Sequence, residues 1–268
     1  MSMSAKKAAV GISALTIVTA SVGGVVLLGT ATQAAASGVA ALNSGDEYAS
    51  LAVAGVSEIS VDASEANLSV VFGDVTQAEL ETRGVEARGW TFEVDGGELT
   101  VASPDRLWNW FNAGWWDGGT EAVLTLPESL RGADLDLTLS AGSLSADGDF
   151  GETSVDVSAG SATLTGSATA LKVDVSSGNA RVDVEGVSEA SYTLSAGWID
   201  STLTGSPDVV AVDVSAGSLT LTLPDRPYQV MSDVSAGSLE NGLQVSPTAP
   251  RSVTVALSAG SIDLRAGR

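Results

Sequence analysis

Hydrophobic and polar residues alternate strictly along most of the second half of the chain. Between Val155 and Thr165, apolar side chains at every second position are separated by Asp, Ser and Thr, and the alternation restarts after Gly160. This period of two is that of a β-strand with one buried and one solvated face, and no helical period competes with it. The pattern predicts pairs of short strands that meet at a tight corner.

A recurring tripeptide of the Ser-Ala-Gly type marks each corner. Its glycines are spaced by 18, 18, 19, 20, 20 and 23 residues, and they are Gly142, Gly160, Gly178, Gly197, Gly217, Gly237 and Gly260. A period of about 19 residues with strand-like flanks is typical of a solenoid. We therefore expect an all-β protein, a parallel β-solenoid of about seven to nine coils that stack in sequence order. An antiparallel β-sandwich is the alternative fold.

The alternation also makes a prediction about each corner. It places the corner alanines, such as Ala159 and Ala216, on the buried side of the strand, where the slot must be narrow. The glycine that follows is expected to supply a positive φ at the bend, because it has no Cβ. Residues 57–74 resemble a degenerate copy of the unit, with Asn67 where the later copies have glycine.

The chain divides into four parts by composition. Residues 50–130 are β-rich but less regular than the repeats, and residues 90–103 predict a hairpin about Asp95-Gly96-Gly97. Terminal units of repeat proteins are usually atypical, so this region is expected to cap the solenoid. The predicted parts are a cytoplasmic stub with a transmembrane signal anchor or cleaved signal peptide (1–36), a linker (37–49), the N-terminal β region (50–130) and the repeat solenoid (131–268).

The N-terminal segment has the features of a membrane anchor. Lys6 and Lys7 precede residues 8–29, which carry no charged side chain. A helix of that length reaches about 33 Å, enough for the hydrocarbon layer of about 30 Å. The lysines favour a single-pass protein of the cell membrane, with the N-terminus inside and the C-terminal domain extracellular. Ala34-Ala35-Ala36 also offers a signal-peptidase site, so a secreted form with cleavage near Ala36 is the alternative.

Composition excludes several kinds of chemistry. The chain has no cysteine and no histidine, which removes thiol nucleophiles, structural zinc sites and Ser-His pairs. Its net charge of −21 argues against binding to nucleic acid. We expect no enzymatic activity, no catalytic residues, no cofactor and no metal site. A carbohydrate-active enzyme that uses paired carboxylates in a groove is kept as an alternative.

Four aspartates recur two residues before the repeat serine, and they would form a column in a stack. Thr193 and Ala256 would interrupt this column. Repulsion between neighbouring carboxylates could be relieved by calcium, a question that the sequence leaves open. The four residues are Asp156, Asp174, Asp213 and Asp233.

Residues 105–119 hold an unusual cluster of aromatic side chains. These residues could form a contact surface for a partner protein, a glycan or the membrane interface. The alternative is a loop that folds over the open end of the solenoid. The aromatic residues are Trp108, Trp110, Phe111, Trp115 and Trp116.

Four stretches carry a resemblance to a known family. These are "VDASEANLSV", "DGGELTV", "VLTLPESL" and the serial "SAGSL" units. Over about residues 50–265 the chain resembles the bacterial putative-adhesin β-strand-repeat family, a domain of unknown function. The resemblance implies a parallel β-solenoid on an exported, membrane-anchored surface protein. It implies an adhesin or envelope scaffold that binds an unidentified protein or glycan. Some relatives accompany cell-envelope stress systems, so an accessory or sensor role is the alternative.

Overall fold

The computed structural model describes residues 38–39, 48–83, 89–104 and 120–267. The proposed membrane segment (8–29) and the aromatic cluster from Trp108 to Trp116 lie outside these residues. Within the described part of the chain, no helix is long and apolar enough to cross a membrane. The regular structure there is β, together with a short 3-10 turn at Glu128–Leu130.

The N-terminal part of the described chain contributes eight strands. They are β1 (Gly38–Val39), β2 (Tyr48–Leu51), β3 (Glu58–Ala63), β4 (Ala66–Gly73), β5 (Ala78–Arg83), β6 (Thr91–Asp95), β7 (Glu98–Ala102) and β8 (Thr120–Pro127).

The repeat region contributes the remaining strands of the described chain. They are β9 (Asp134–Leu139), β10 (Gly142–Asp149), β11 (Glu152–Ser167), β12 (Ala170–Glu185), β13 (Glu189–Leu194), β14 (Gly197–Leu203), β15 (Val209–Val214), β16 (Ser218–Pro224), β17 (Pro227–Val234), β18 (Ser238–Asn241), β19 (Gln244–Val245), β20 (Ser252–Leu257) and β21 (Ser261–Gly267).

Repeat units lie side by side and pair in parallel. β11 and β12 each span a whole unit, and their register runs from Glu152 opposite Ala170 to Ser167 opposite Glu185. The same register continues into the next units through β13–β15 and β14–β16. This parallel pairing excludes an antiparallel sandwich for the repeat strands. We call the strands before the corners the pre-corner ladder and those after the corners the post-corner ladder.

The units do not all stack in the order of the sequence. β20 pairs with β15 on one side and with β17 on the other, and β21 lies in the same way between β16 and β18. The unit at Gly260 is therefore inserted between the units at Gly217 and Gly237, and the expectation of strict sequence order is wrong here.

Polar inward residues explain this insertion. Ser232 and Asn241 lie opposite Val255 and Leu264 of the neighbouring unit, and both polar residues are exposed. In the middle of the stack these two side chains would be buried among apolar neighbours, at a cost in free energy. At the end of the stack they face water, as the polar outer face of a terminal repeat does.

At the other end, parallel pairing changes to antiparallel pairing. β3 and β4 pair in parallel with β9 and β10 on one side and with β7 and β8 on the other. β5 and β6 then pair antiparallel with β8 and β7, and β2 and β1 follow antiparallel beyond them. β6 and β7 form the predicted hairpin, with Asp95 opposite Glu98 and positive φ values at Gly96 and Gly97.

Two sequence-based assignments around the corner are wrong. Asn67 does not replace the corner glycine: Ala66 lies opposite Gly142, and Asn67 lies opposite Ser143, whose Oγ donates a hydrogen bond of 2.7 Å to Asn67 Oδ1. The tripeptide of this first unit is therefore Ser64-Glu65-Ala66. The corner alanines are not buried either, because Ala159 and its equivalents in the later units are exposed and Ala141 is half-buried.

The tight contact between units is at the glycine that follows each alanine. A Cβ on Gly217 would lie 2.5 Å from the carbonyl oxygen of Gly197, the corner glycine of the neighbouring unit. Gly217 has a φ of +123°, whereas Gly178 lies outside the left-handed region. The two residues before the glycine both face solvent at Gly217 and at Gly178 alike, so the strand alternation does not extend through the corner.

The core is a continuous column of inward side chains. Val155, Val173, Tyr192 and Val212 follow one another in register across four neighbouring units, and all are buried. Burial of each such side chain contributes about 1.5–3 kcal/mol. The outward side chains of the same strands are then free to vary between units, and these positions hold the candidate site.

Candidate binding groove

Carboxylates recur among the outward side chains of the pre-corner ladder. Glu58 lies opposite both Glu98 and Asp134, and the backbone N–H of Glu152 on the next unit donates a hydrogen bond of 2.8 Å to Asp134 Oδ1. A second outward column contains Asp136 and Lys172. We call this surface the acidic face.

A groove of about 520 Å³ runs along the acidic face, where the strands β3, β9, β11, β12, β13 and β15 begin. Because neighbouring parallel strands lie about 4.8 Å apart, successive units bring one side chain each to the groove at regular intervals. The charged residues that line it are Glu58, Asp134, Asp136, Glu152, Lys172 and Glu189.

Like charges and partial burial perturb two of the groove carboxyls. Partial burial raises the pKa of Glu58, and the negative charges of Glu98, Asp136 and Asp134 raise it further. Burial is also the main reason that the pKa of Asp136 is raised, with Lys172 and a hydrogen bond from Ser154 acting against it. Like charge therefore contributes clearly to the raised pKa of Glu58, whereas the raised pKa of Asp136 reflects mainly its burial.

Lys172 is the cation within this field. Its ammonium group lies 2.6 Å from Asp174 Oδ2, and the hydrogen bond to Asp174 is the main reason that the pKa of Lys172 is raised. The side chain nevertheless remains 61% exposed, so the pair is screened by solvent and contributes little to stability. Lys172 therefore offsets only part of the negative charge along the groove.

We expect the variant Glu58→Gln to increase the free energy of unfolding at neutral pH by about 0.2–1 kcal/mol, the usual size of a cross-strand charge effect. The folded-state pKa of Glu58 is raised, so its contribution to stability is present at low pH and is lost as pH rises through that pKa. Urea denaturation of the full chain between pH 3 and 8 should show a weaker loss of stability with rising pH in the variant.

The exposed carboxylate Glu185 provides the matched control for this prediction, because it lies on the post-corner ladder. Glu185→Gln removes the same charge and should leave the pH profile close to that of the wild type. Equal profiles for Glu58→Gln and the wild type would contradict the proposed repulsion.

In the structure, the predicted column of aspartates is interrupted at the positions that the sequence indicates. Asp156 lies opposite Asp174, whereas Thr193 separates Asp174 from Asp213 and Ala256 follows Asp213. Within the described ranges, no group of three or more acidic side chains is arranged to hold a metal ion. The corner glycines lie at the contacts between units and not in the groove.

The groove was not predicted from the sequence, although the sequence contains a signal for it. Glu58, Asp134, Glu152 and Glu189 each stand six residues before the first serine of their corner tripeptide. Three of these carboxylates precede corners that the repeat already marks, and Glu58 joins them once Ser64 is recognised as the first corner. Aligning the units on their corner serines would have placed the four carboxylates in one column.

The solved structures that are similar to the chain include two bacterial proteins. No family model matches the chain, and no curated protein matches it. A putative cell adhesion protein from Clostridium sporogenes is 13% identical with a TM-score of 0.35, over 82% of this chain and 98% of that one. A putative adhesin from Bacteroides fragilis has the same identity and TM-score, over 81% and 95% of the two chains. Similarity at this level assigns neither a role nor a ligand to this chain.

Proposed function

We propose that the chain is an exported bacterial surface protein that acts by binding, as an adhesin or envelope scaffold, and that it is not an enzyme. The acidic groove carries this proposal. Glu58, Asp134 and Glu152 come from neighbouring units, so their carboxylates form an extended row on rigid strands. Such a row is complementary to an extended basic segment of a partner protein, for which it would supply both attraction and register.

In this proposal the paired units form a parallel β-solenoid that holds the groove in shape. Residues 8–29 would anchor the chain in the cell membrane with the solenoid outside, or cleavage near Ala36 would release it. Trp108–Trp116 would add a contact surface. An accessory or sensor role in a cell-envelope stress system would use the same groove with a different partner.

Exposure of the groove carboxylates favours binding over hydrolysis. Glu58, Asp134, Glu152 and Glu189 are all exposed to solvent. A glycosidase needs a carboxylic acid and a carboxylate whose pKa values are held apart around one bond. Open carboxylates along a row are better suited to reversible ion pairing, which salt weakens.

The full-length chain in detergent micelles tests this proposal by calorimetric titration with a lysine decamer. We expect binding that weakens with rising salt. The triple variant Glu58→Gln, Asp134→Asn and Glu152→Gln should weaken it about tenfold, equivalent to about 1.4 kcal/mol.

A second triple variant controls for net charge. Asp147→Asn, Asp183→Asn and Glu185→Gln remove the same three charges from exposed positions of the post-corner ladder. This control should bind the decamer nearly as well as the wild type. Equal weakening by the two triples would contradict a groove-specific site. If the chain released reducing ends from a polysaccharide, and Glu58→Gln abolished this activity, the protein would be an enzyme and the proposed binding function would be wrong.

A further inference from the structure

The outward side chains of the post-corner ladder differ from those of the acidic face. The first outward position after each corner is occupied by serine or asparagine in seven units and by Trp198 in the eighth. Trp198 lies opposite Asn179 on one side and Ser218 on the other. Neither neighbour is large enough to cover an indole ring.

Trp198 is one of the large hydrophobic residues that are exposed in the described part of the chain. Trp198 is 37% exposed as a residue, whereas Trp90, the other tryptophan in the described part of the chain, is 5% exposed. More than a third of the surface of Trp198 is therefore accessible to a ligand, and an indole offers that ligand both an apolar face and an N–H donor. The neighbouring outward positions carry polar or charged residues (Asn179, Arg181, Asp200, Ser218 and Thr220), so Trp198 is an aromatic platform in a polar surface and not part of a hydrophobic patch.

Hydrogen-bonding groups of three kinds surround this platform. The Arg181 guanidinium carbon lies 5.8 Å from the centroid of the Trp198 ring, and Arg181 Nη2 lies 3.8 Å from Asp200 Oδ2. Both members of this ion pair are about half exposed or more, with side-chain exposures of 63% and 45%. Asn179 adds an amide that both donates and accepts. A ligand that stacks on the ring could therefore contact the carboxylate of Asp200 on the same unit, and the guanidinium of Arg181 and the amide of Asn179 on the neighbouring unit.

We propose that Trp198, Asn179, Arg181 and Asp200 form a binding site for a neutral saccharide chain. A sugar ring has an apolar C–H face that stacks on an indole, and its hydroxyls bond to amide, carboxylate and guanidinium groups. The net charge of −21 opposes an anionic polysaccharide. Serine and threonine hydroxyls on neighbouring units, such as Ser218 and Thr220, continue the polar surface for further sugar units.

This site is separate from the acidic groove, because it lies on the post-corner ladder. It goes beyond the proposed function by adding a second ligand class, and it does not require the groove to bind anything. A basic protein segment and a glycan could then be held by different faces of the same chain. The two proposals can therefore fail independently.

The test is saturation-transfer NMR and calorimetric titration of the full-length chain in detergent micelles with chitohexaose and cellohexaose. At least one hexasaccharide should bind, and Trp198→Ala should weaken that binding by at least about tenfold. Trp198→Phe should retain part of the affinity, because it keeps an aromatic ring. Tyr48→Ala is the matched control, since Tyr48 is the other exposed aromatic in the described residues, at 52%.

Several outcomes would overturn the proposal. These are no binding of either hexasaccharide to the wild-type chain at millimolar concentration, unchanged affinity in Trp198→Ala, and stronger binding of polygalacturonate than of the neutral sugars. Urea denaturation checks that each variant is folded, and Trp198→Phe keeps the test valid if the alanine variant is unstable. Trp198→Ala should bind the lysine decamer like the wild type. This measurement tests the acidic groove separately, so failure of the saccharide proposal can be distinguished from failure of the groove proposal.

Discussion

Gly217→Ala should lower the free energy of unfolding by about 3 kcal/mol or more, the sum of backbone strain and overpacking. Gly217 has a φ of +123°, which an alanine adopts only with strain. The new Cβ would also lie 2.5 Å from the carbonyl oxygen of Gly197. That oxygen belongs to the backbone of the neighbouring unit, so it cannot move away without disturbing the parallel pairing on both sides.

Alanine substitutions at two further glycines separate the contribution of backbone strain from that of the steric contact. Gly132 has a φ of +81° with open space around its Cβ position, so Gly132→Ala should cost about 1–2 kcal/mol from backbone strain alone. Gly178 lies outside the left-handed region, but its Cβ would lie 2.7 Å from Gly160 O, so Gly178→Ala tests the steric contact alone. Urea denaturation of the full chain measures all three. A loss in Gly217→Ala no larger than that in Gly132→Ala would show that the contact between units is unimportant.

The parallel stack could be predicted because its signals are local and repeated. Alternation at period two marks each strand, and the corner tripeptide fixes where consecutive strands meet. Equal spacing of the corners then indicates that one unit lies against the next, as the pairing of Gly160 with Gly178 and of Gly178 with Gly197 shows.

The order of the last units could not be read from these signals. Exchanging the units at Gly237 and Gly260 changes no local pattern, because each unit keeps its strands and its corner. The information lies in only two inward residues, Ser232 and Asn241, whose polarity is tolerated at an end of the stack. Such a preference emerges only when the neighbours of each position are known.

The candidate sites were missed for a related reason. The groove is a column of residues about 18 or more positions apart, so no contiguous motif contains it. The dense aromatic cluster from Trp108 to Trp116 is the more conspicuous aromatic feature of the sequence. Trp198 is isolated in the chain, and its importance depends on the small side chains that flank it in neighbouring units.

Ser201→Ala should destabilise the chain by about 1–3 kcal/mol, the cost of a buried hydroxyl left without a partner. The hydroxyls of Tyr192 and Ser201 share a hydrogen bond with 2.7 Å between the oxygens, and both side chains are buried. Burial is the main reason that the pKa of Tyr192 is strongly raised, although the bond to Ser201 acts against it. The tyrosine therefore stays neutral and depends on this one partner in the core.

The side-chain volumes of Tyr192 and Ser201 are matched as well as their hydrogen-bonding groups. Tyr192 stands where neighbouring units have Val173 and Val212, and Ser201 stands where they have Val182 and Leu221. A larger side chain on one ladder is thus matched by a smaller one on the other, which keeps the core filled. Ser201→Val should consequently be at least as damaging as Ser201→Ala, because it both removes the hydroxyl and overfills the site.

A double-mutant cycle of Tyr192→Phe and Ser201→Ala isolates the hydrogen bond. The double variant should be more stable than Ser201→Ala, because it removes the orphaned phenol hydroxyl while keeping the aromatic ring. The two single losses should therefore sum to more than the loss in the double variant, with a coupling of about 0.5–3 kcal/mol. Additive losses would show that the two hydroxyls do not depend on each other, and that the cost of Ser201→Ala has another source.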